Sequence, residues 1–421
     1  MLHVLTTSWA LLLGMLLLLV GNGLQNTLLG IRGAIEGYDA ETMAFVMSGY
    51  YVGFLLGSMR ATPMIARVGH VRVFAALAST ISAAFILYAA APQPWVWTLM
   101  RFMVGFSFAG VYVVAESWLN DAATNETRGQ ALSLYMIVQM VGIISAQFIL
   151  TLADPGGYLP FVIMSVLVSV SFLPILLSAG TAPPFRTTQR MSLAQLFRIS
   201  PLGCIGTFLL GGVYAAIFAM GSVFGTARGL TVPQISAFVA AIYTGGLVFQ
   251  YPIGWISDRM DRRRLILVLT AVGAVATLAG ALASDRYAAV LALGFVIGGV
   301  ANPLYALIIA YTNDFLGHED MPAASSGLLF INGLGAMAGP FLIGVMMTRF
   351  GPDAYFVYVG GLFALIAAYA GYRMTRRAAP PSSEPYAPVL PQASAVAVEA
   401  AQEVAIERST EAAISANSPP M

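Results

Sequence analysis

Along most of this chain the apolar residues neither alternate with polar ones nor keep to one helical face. They run on for about twenty positions at a time, broken by short polar clusters. A bilayer core about 30 Å thick needs roughly 20 mostly apolar residues per helical crossing. Twelve stretches meet that length, at about 9–29, 42–60, 72–91, 95–116, 129–150, 158–178, 201–223, 235–256, 265–284, 287–311, 322–348 and 354–373. The pattern predicts an all-α membrane protein with twelve transmembrane helices. A membrane β-barrel would show alternating segments of about ten residues, and "LLLGMLLLLVG" does not alternate. No Lys or Arg precedes Arg32, and no small-residue cleavage pattern follows the first run, so it reads as a retained span rather than a secretory leader.

Composition agrees with a membrane setting: 58% of the 421 residues are hydrophobic and 9% are charged. A formal net charge of +1 gives no basic face, so no nucleic-acid partner is expected. The single cysteine, Cys204, falls in the seventh stretch and excludes an internal disulfide or a cysteine-rich metal site. His3, His70 and His318 fall in predicted loops or at the terminus, which argues against a metal site or a histidine relay within the spans. No G-x-x-x-x-G-K-[ST] signature occurs, so ATP is not the expected driver and no cofactor is expected.

All twenty basic residues are arginines. With the N-terminus in the cytoplasm, fourteen of them fall in inner loops, the linker or the start of the tail, and only Arg32, Arg228, Arg286 and Arg349 fall in outer loops. The positive-inside rule therefore puts both termini in the cytoplasm. The densest charge is "GWISDRMDRRR" (254–264), between spans 8 and 9. A topological anchor needs only positive charge; the interleaved Asp258 and Asp261 suggest ion pairs that form and break.

Shifted by 193 positions, residues 105–150 align with 298–343 without a gap and share nine identities, among them Gly105/Gly298, Asn120/Asn313 and Asp121/Asp314. The chain thus reads as two weakly similar six-span halves in parallel orientation. The N-terminal bundle is expected over 1–178, a cytoplasmic linker over 179–200 with a short interfacial helix at "SLAQLF", and the C-terminal bundle over 201–377. Residues 378–421, rich in Ala, Pro, Ser and Glu, are expected to form a disordered cytoplasmic tail. Glu399, Glu403, Glu407 and Glu411 recur every four residues and would weaken a helix there by lining one face with like charges.

These motifs carry a family resemblance. "GWISDRMDRRR" resembles the loop signature of the major facilitator superfamily, G-x-L-A-D-[RK]-x-G-[RK]-[RK], with Gly254, Asp258, Arg259, Arg262 and Arg263 in matching positions and Asp261 in place of the second glycine. The first-half counterpart, "TPMIARVGHVR", keeps Arg67, Gly69 and Arg72 but has Ala66 where the acid would be. "RFMVGFSFAG" is similar to the fourth-helix R-x-x-x-G pattern, and "GAMAGPFLIG" to the Gly-x-x-x-Gly-Pro pattern of antiporters, though it stands in span 11 and not span 5. "VVAESWLNDAATNETRGQALSLYMIVQMVG" with "GNGLQNTLLG" looks closest to the YcaD-like branch of bacterial transporters. The resemblance implies the major facilitator fold, two pseudo-symmetric six-helix bundles in a chain that is usually a monomer, with gating loops at the positions just named and a cavity built largely from spans 1, 4, 7 and 10.

Polar side chains within spans tend to face a bundle interior or a watery cavity. In span 4, Arg101, Gly105, Phe108, Tyr112 and Glu116 fall on one helical stripe. Arg101 either snorkels to the outer interface or faces the solute; Glu116 is a cap, a partner of Arg128 or the carrier of a coupling proton. In span 1, Asn22, Gln25 and Asn26 share a face. Tyr135, Gln139, Tyr214, Tyr243, Gln250, Asn302, Tyr305 and Asn332 complete the candidate solute pathway. The expected function is a secondary active transporter of a small solute working by alternating access, export being favoured by an aromatic and amide cavity poor in charge. The alternative is a non-transporting sensor or scaffold on the same body. A membrane enzyme would need paired acids, a nucleophile beside a base or a metal cluster within the spans, and none is evident.

Overall fold

The computed structural model describes residues 2–177, 191–378 and 385–417; inside its helices, the side chains of residues 2–5, 7, 122, 125, 126, 395 and 408–417 are not described. Twelve helices among these residues are long and apolar enough to span a membrane. They are α1 (Leu2–Ile35), α2 (Ala40–Val68), α3 (His70–Ala90), α4 (Pro94–Ala122), α5 (Asn125–Leu150), α6 (Leu159–Leu177), α7 (Pro201–Ala227), α8 (Val232–Ser257), α9 (Arg262–Ala281), α10 (Tyr287–Asn313), α11 (Met321–Phe350) and α12 (Ala354–Arg376). In hydrocarbon every backbone polar group must find its partner within the protein, and a helix does so along its whole length. Some helix starts carry side-chain caps: the Asp39 carboxylate accepts from Thr42 N–H at 2.8 Å, and Thr124 and Thr231 form capping boxes. Gly69, at φ +86°, makes the tight turn from α2 into α3.

An even number of crossings puts both ends of the helical body on one face, here called the terminal face. The helices pack as two six-helix bundles, α1–α6 and α7–α12. Close approach within each bundle depends on missing side chains. A Cβ on Gly105 would lie 2.0 Å from the Tyr50 carbonyl oxygen, between α4 and α2; one on Gly298 would lie 1.8 Å from the Ile242 oxygen, between α10 and α8. The two glycines are repeat mates, so this part of the internal repeat encodes one and the same helix contact in each half. His70, expected in a loop, is instead the first residue of α3, buried, with its ring nitrogen 2.9 Å from Ser117 Oγ.

On the face opposite the termini the two bundles close on each other. Gly344 of α11 lies so near α2 that a Cβ there would come within 2.4 Å of Ala44 Cβ, Phe45 meets Phe341 at 6.2 Å between ring centres, and Ser222 Oγ of α7 donates to the Asn26 carbonyl of α1 at 3.2 Å. Toward the terminal face the bundles diverge, and the space between them is filled by the chain's own C-terminal segment.

Disorder is expected over 378–421, of which 379–384 and 418–421 lie outside the described residues; residues 385–417 depart from it. Residues 385–394 run without helix between the bundles, and a helix over Ala395–Asn417 packs on α4, α5 and α11. The glutamate row does line one face: Glu403 pairs with Arg128, while the side chain of Glu411 lies outside the described residues. The opposite face buries Val398, Ala401 and Val404. Like-charge i,i+4 pairs cost a few tenths of a kcal/mol each, less than burial of such a face returns at about 25 cal/mol per Å². Composition registered the polar residues and missed the period of the apolar ones. In the linker, Arg186 and Arg190 lie outside the described residues; the expected short helix is present at Leu193–Ile199, capped by Ser192.

Candidate functional site

A polar and aromatic cavity lies at mid-depth between the bundles. Of the candidate pathway residues, Asn22 and Asn26 of α1, Arg101 and Tyr112 of α4, Tyr214 of α7, Tyr243 of α8 and Asn332 of α11 line it. Five further residues, Tyr50, Tyr51, Phe54, Leu55 and Ser58, come from α2, which the sequence reading passed over. Their signal was available in the i, i+4, i+8 spacing of Tyr50, Phe54 and Ser58, but aromatics in an apolar helix look like packing residues until a facing wall is known. Phe218, also missed, sits in a π-helical turn at Ala216–Met220 of α7, the kind of irregularity often found at functional sites.

Arg101 does not snorkel to the interface: it is 1% exposed. Its Nη1 donates to Asn26 Oδ1 at 2.8 Å, its Nη2 meets Met47 Sδ at 2.9 Å, and its guanidinium carbon stands 5.0 Å from the centre of the Tyr50 ring. Its Nε is buried without a partner, as is Asn22 Oδ1. Among the described residues Arg101 is the only charged one lining the cavity.

The other candidates are distributed around this cavity. Gln25 turns away to donate to the Tyr88 hydroxyl at 2.9 Å, and Gln139 is buried outside the lining. Tyr305 packs edge-on against Tyr214, whose hydroxyl donates to the Ala301 carbonyl at 2.8 Å. Asn302 donates to the Gly298 carbonyl at 3.1 Å, and Asn332 to that of Thr207 at 3.1 Å. Glu116 is fully buried and accepts from the Tyr135 hydroxyl at 3.2 Å and from Ser394 N–H at 2.8 Å. Its expected alternative partner, Arg128, pairs with Glu403 instead.

The mouth of the cavity is where the C-terminal segment sits. Pro391 and Gln392 are part of the cavity wall, and the space left free is about 60 Å³, far below the 300–1,000 Å³ of ordinary small-molecule sites. Tyr386 anchors the segment. Its N–H donates to Asp258 Oδ1 at 2.8 Å, its hydroxyl accepts from Gln250 Nε2 at 3.1 Å, and its ring lies on Gly254, where a Cβ would come 2.7 Å from Cδ1. Burial, and then the Asp258 carboxylate, push the phenol of Tyr386 well above its ordinary range. Burial and the neighbouring Glu403 raise the carboxyl of Glu399 in the tail helix.

The signature loop at the terminal face pairs its charges, but within its own half. Arg262 is bridged to Asp314, both almost fully buried, and to Asp258 at 3.4 Å; Arg263 pairs with Asp261 at 2.7 Å. The guanidinium of Arg263 holds the Asp261 carboxyl below its ordinary range. Arg259 stacks over Trp255 at 4.1 Å. In the first half, Arg67 and Arg72 are exposed, and no ion pair among the described residues reaches them, which fits the loss of the acid at Ala66. Among the described residues no ion pair joins one bundle to the other; Arg128 of the first half and Asp258 of the second each hold the tail.

Residues 11–242 and 202–408 match the Major Facilitator Superfamily. Two curated relatives are described as uncharacterized MFS-type transporters: YcaD of Escherichia fergusonii, 24% identical over 356 residues, and one from Enterobacter sp. (strain 638), 26% identical over 357 residues. Each alignment covers 84% of this chain and 92% of the relative. Among solved structures, a mutant of the nucleoside transporter NupG superposes with a TM-score of 0.76 at 13% identity, covering 87% of this chain and 99% of that one. A bacterial homologue of the lysosomal transporter Spinster, inward-facing and unoccupied, gives 0.66 at 15% identity, covering 96% and 98%.

Proposed function

The chain belongs to the Major Facilitator Superfamily, and from that premise we propose that it is a secondary transporter in which the two bundles rock about the central cavity and carry one small solute per cycle. One observation carries the reading: both bundles contribute to one polar and aromatic cavity that is shut toward one face and meets the chain's own C-terminal segment toward the other. The terminal face is taken as cytoplasmic because it holds most of the arginines. The state described is then the inward-facing one. Export is the favoured direction, since an aromatic wall with a single charge suits solutes that partition from the cell interior. Glu116, fully buried and bonded to the Ser394 N–H of the C-terminal segment, is the proposed site of a coupling proton.

The C-terminal segment belongs to the same reading. With 60 Å³ left free, solute and segment cannot share the cavity, so residues 385–394 act as a displaceable plug that must leave before solute enters from the cytoplasm. Within residues 385–394 the hold is a short apolar stretch, Tyr386, Ala387, Val389, Leu390 and Ala393, with a few hydrogen bonds, and no regular secondary structure ties it to either bundle.

The test is counterflow and gradient-driven flux in proteoliposomes, with the full chain and with a chain ending at Arg377. Flux from either form supports transport, with the shorter chain faster. If neither form moves any solute from a broad panel, the remaining interpretation is a non-transporting sensor whose own tail is its cavity ligand.

A further inference from the structure

We propose that the cavity selects a small aromatic carboxylate, its carboxylate seated on the Arg101 guanidinium and its ring held between aromatic walls supplied by the two bundles; the inference rests on the transporter reading. The argument starts from charge. Arg101 is 1% exposed, no carboxylate among the described residues lies within 4 Å of it, and its Nε–H points at no acceptor. A guanidinium stays cationic and presents its donors in a fixed planar fork. Asn26 takes one donor and the soft Met47 sulfur another; neither neutralises the charge. A buried, uncompensated cation facing a cavity gains most from an arriving anion, and a carboxylate matches the fork in two-point geometry.

The rest of the cavity defines the body of the solute. Phe218 stacks on Tyr214 at 5.5 Å and 17° and on Tyr243 at 5.5 Å and 22°, a continuous aromatic wall on the second bundle. Tyr50 and Phe54 stack at 5.9 Å and 28° on the first. Arg101 lies seven residues into α4 from the closed face, about 10 Å at 1.5 Å per residue. The charge therefore sits at the blind end, with the planar walls between it and the mouth. A flat apolar ring with a carboxylate at one end fills that shape; a sugar or a dication does not.

The experiment uses the purified full-length protein and matched pairs of probes, benzoate with benzamide and indole-3-acetate with its amide. Binding is read by thermal shift, and uptake or release of the labelled compounds is read in proteoliposomes. Each carboxylate is expected to bind about 10- to 100-fold more tightly than its amide, the usual margin for a charge-assisted contact. Arg101→Gln should erase that preference, and Arg101→Lys should keep part of it. Should Arg101→Gln not fold, Arg101→Lys carries the test through a reduced but surviving preference. Equal binding of acid and amide, an undiminished preference in Arg101→Gln, or no carboxylate bound at all would overturn the assignment. Flux without acid preference would leave transport standing and remove the anion; acid preference without flux would keep the site and remove transport.

Discussion

Tyr386→Ala should unplug the central cavity. The ring is the largest buried side chain of the segment, lies on Gly254 and bonds through its hydroxyl to Gln250; the other ties are the smaller buried Val389, Leu390 and Val398, the Tyr386 N–H to Asp258, the Ser394 N–H to Glu116 and the pair between Arg128 and Glu403, whose acid is half exposed. An exposed pair of the last kind contributes about 0–1 kcal/mol. Cutting a buried aromatic side chain to Ala costs about 3–5 kcal/mol, and each 1.4 kcal/mol is a factor of ten, so the undocked fraction should rise at least about 100-fold. The assay is the rate at which a membrane-impermeant maleimide labels Ser58→Cys, inside the cavity, after the native thiol is removed by Cys204→Ala. Tyr386→Ala and a chain ending at Arg377 should accelerate labelling alike, while Tyr386→Phe, which keeps the ring, should change it by less than about ten-fold. Gly254→Ala should also accelerate it, because the new methyl would lie 2.7 Å from the ring. Parental labelling in the truncated chain would refute the plug; acceleration by truncation but not by Tyr386→Ala would refute the anchor.

Other consequences are open to simpler measurements. Asp314→Ala leaves Arg262, 2% exposed, without its buried partner; Ser257 and the Ala310 carbonyl still accept from it, so the loss should fall near the low end of 3–5 kcal/mol. Unchanged thermal unfolding in detergent would contradict that. Gly298→Ala forces a methyl to within 1.8 Å of the Ile242 carbonyl oxygen and should cost about 1–3 kcal/mol or more by overpacking. Gly361→Ala in α12 meets nothing within 4 Å and should be neutral or slightly stabilising in the same melt; equal melting of the two variants would sink the close-approach argument. Glu116→Gln keeps an acceptor for Ser394 but cannot carry a proton, so it should abolish gradient-driven flux and spare exchange. An unaltered pH dependence of flux would remove Glu116 as the coupling site.

The linear sequence determined the twelve spans, because a hydrocarbon solvent demands unbroken apolar length and leaves the helix as the spanning form for such runs. It also gave reason to expect Asn26 and Tyr112 to face inward, since a polar group facing lipid is costly wherever it stands in the chain, while leaving Arg101 open between the interface and the cavity; the 193-residue shift paired Gly105 with Gly298, and the structure supplied the contact that each makes. What the linear sequence left undecided depended on partners distant in the chain. Tyr50, Tyr51 and Phe54 became lining residues only because α2 faces α11 across the cavity, and no periodicity within α2 distinguishes a packed ring from one that walls a pocket. Asp258 was expected to form and break ion pairs; besides its contact with Arg262 it accepts the Tyr386 N–H, 128 residues away. The tail was misjudged for the same reason: its few valines and one tyrosine cannot bury enough surface by themselves, and they became ordered only where two diverging bundles supplied the other side of the interface.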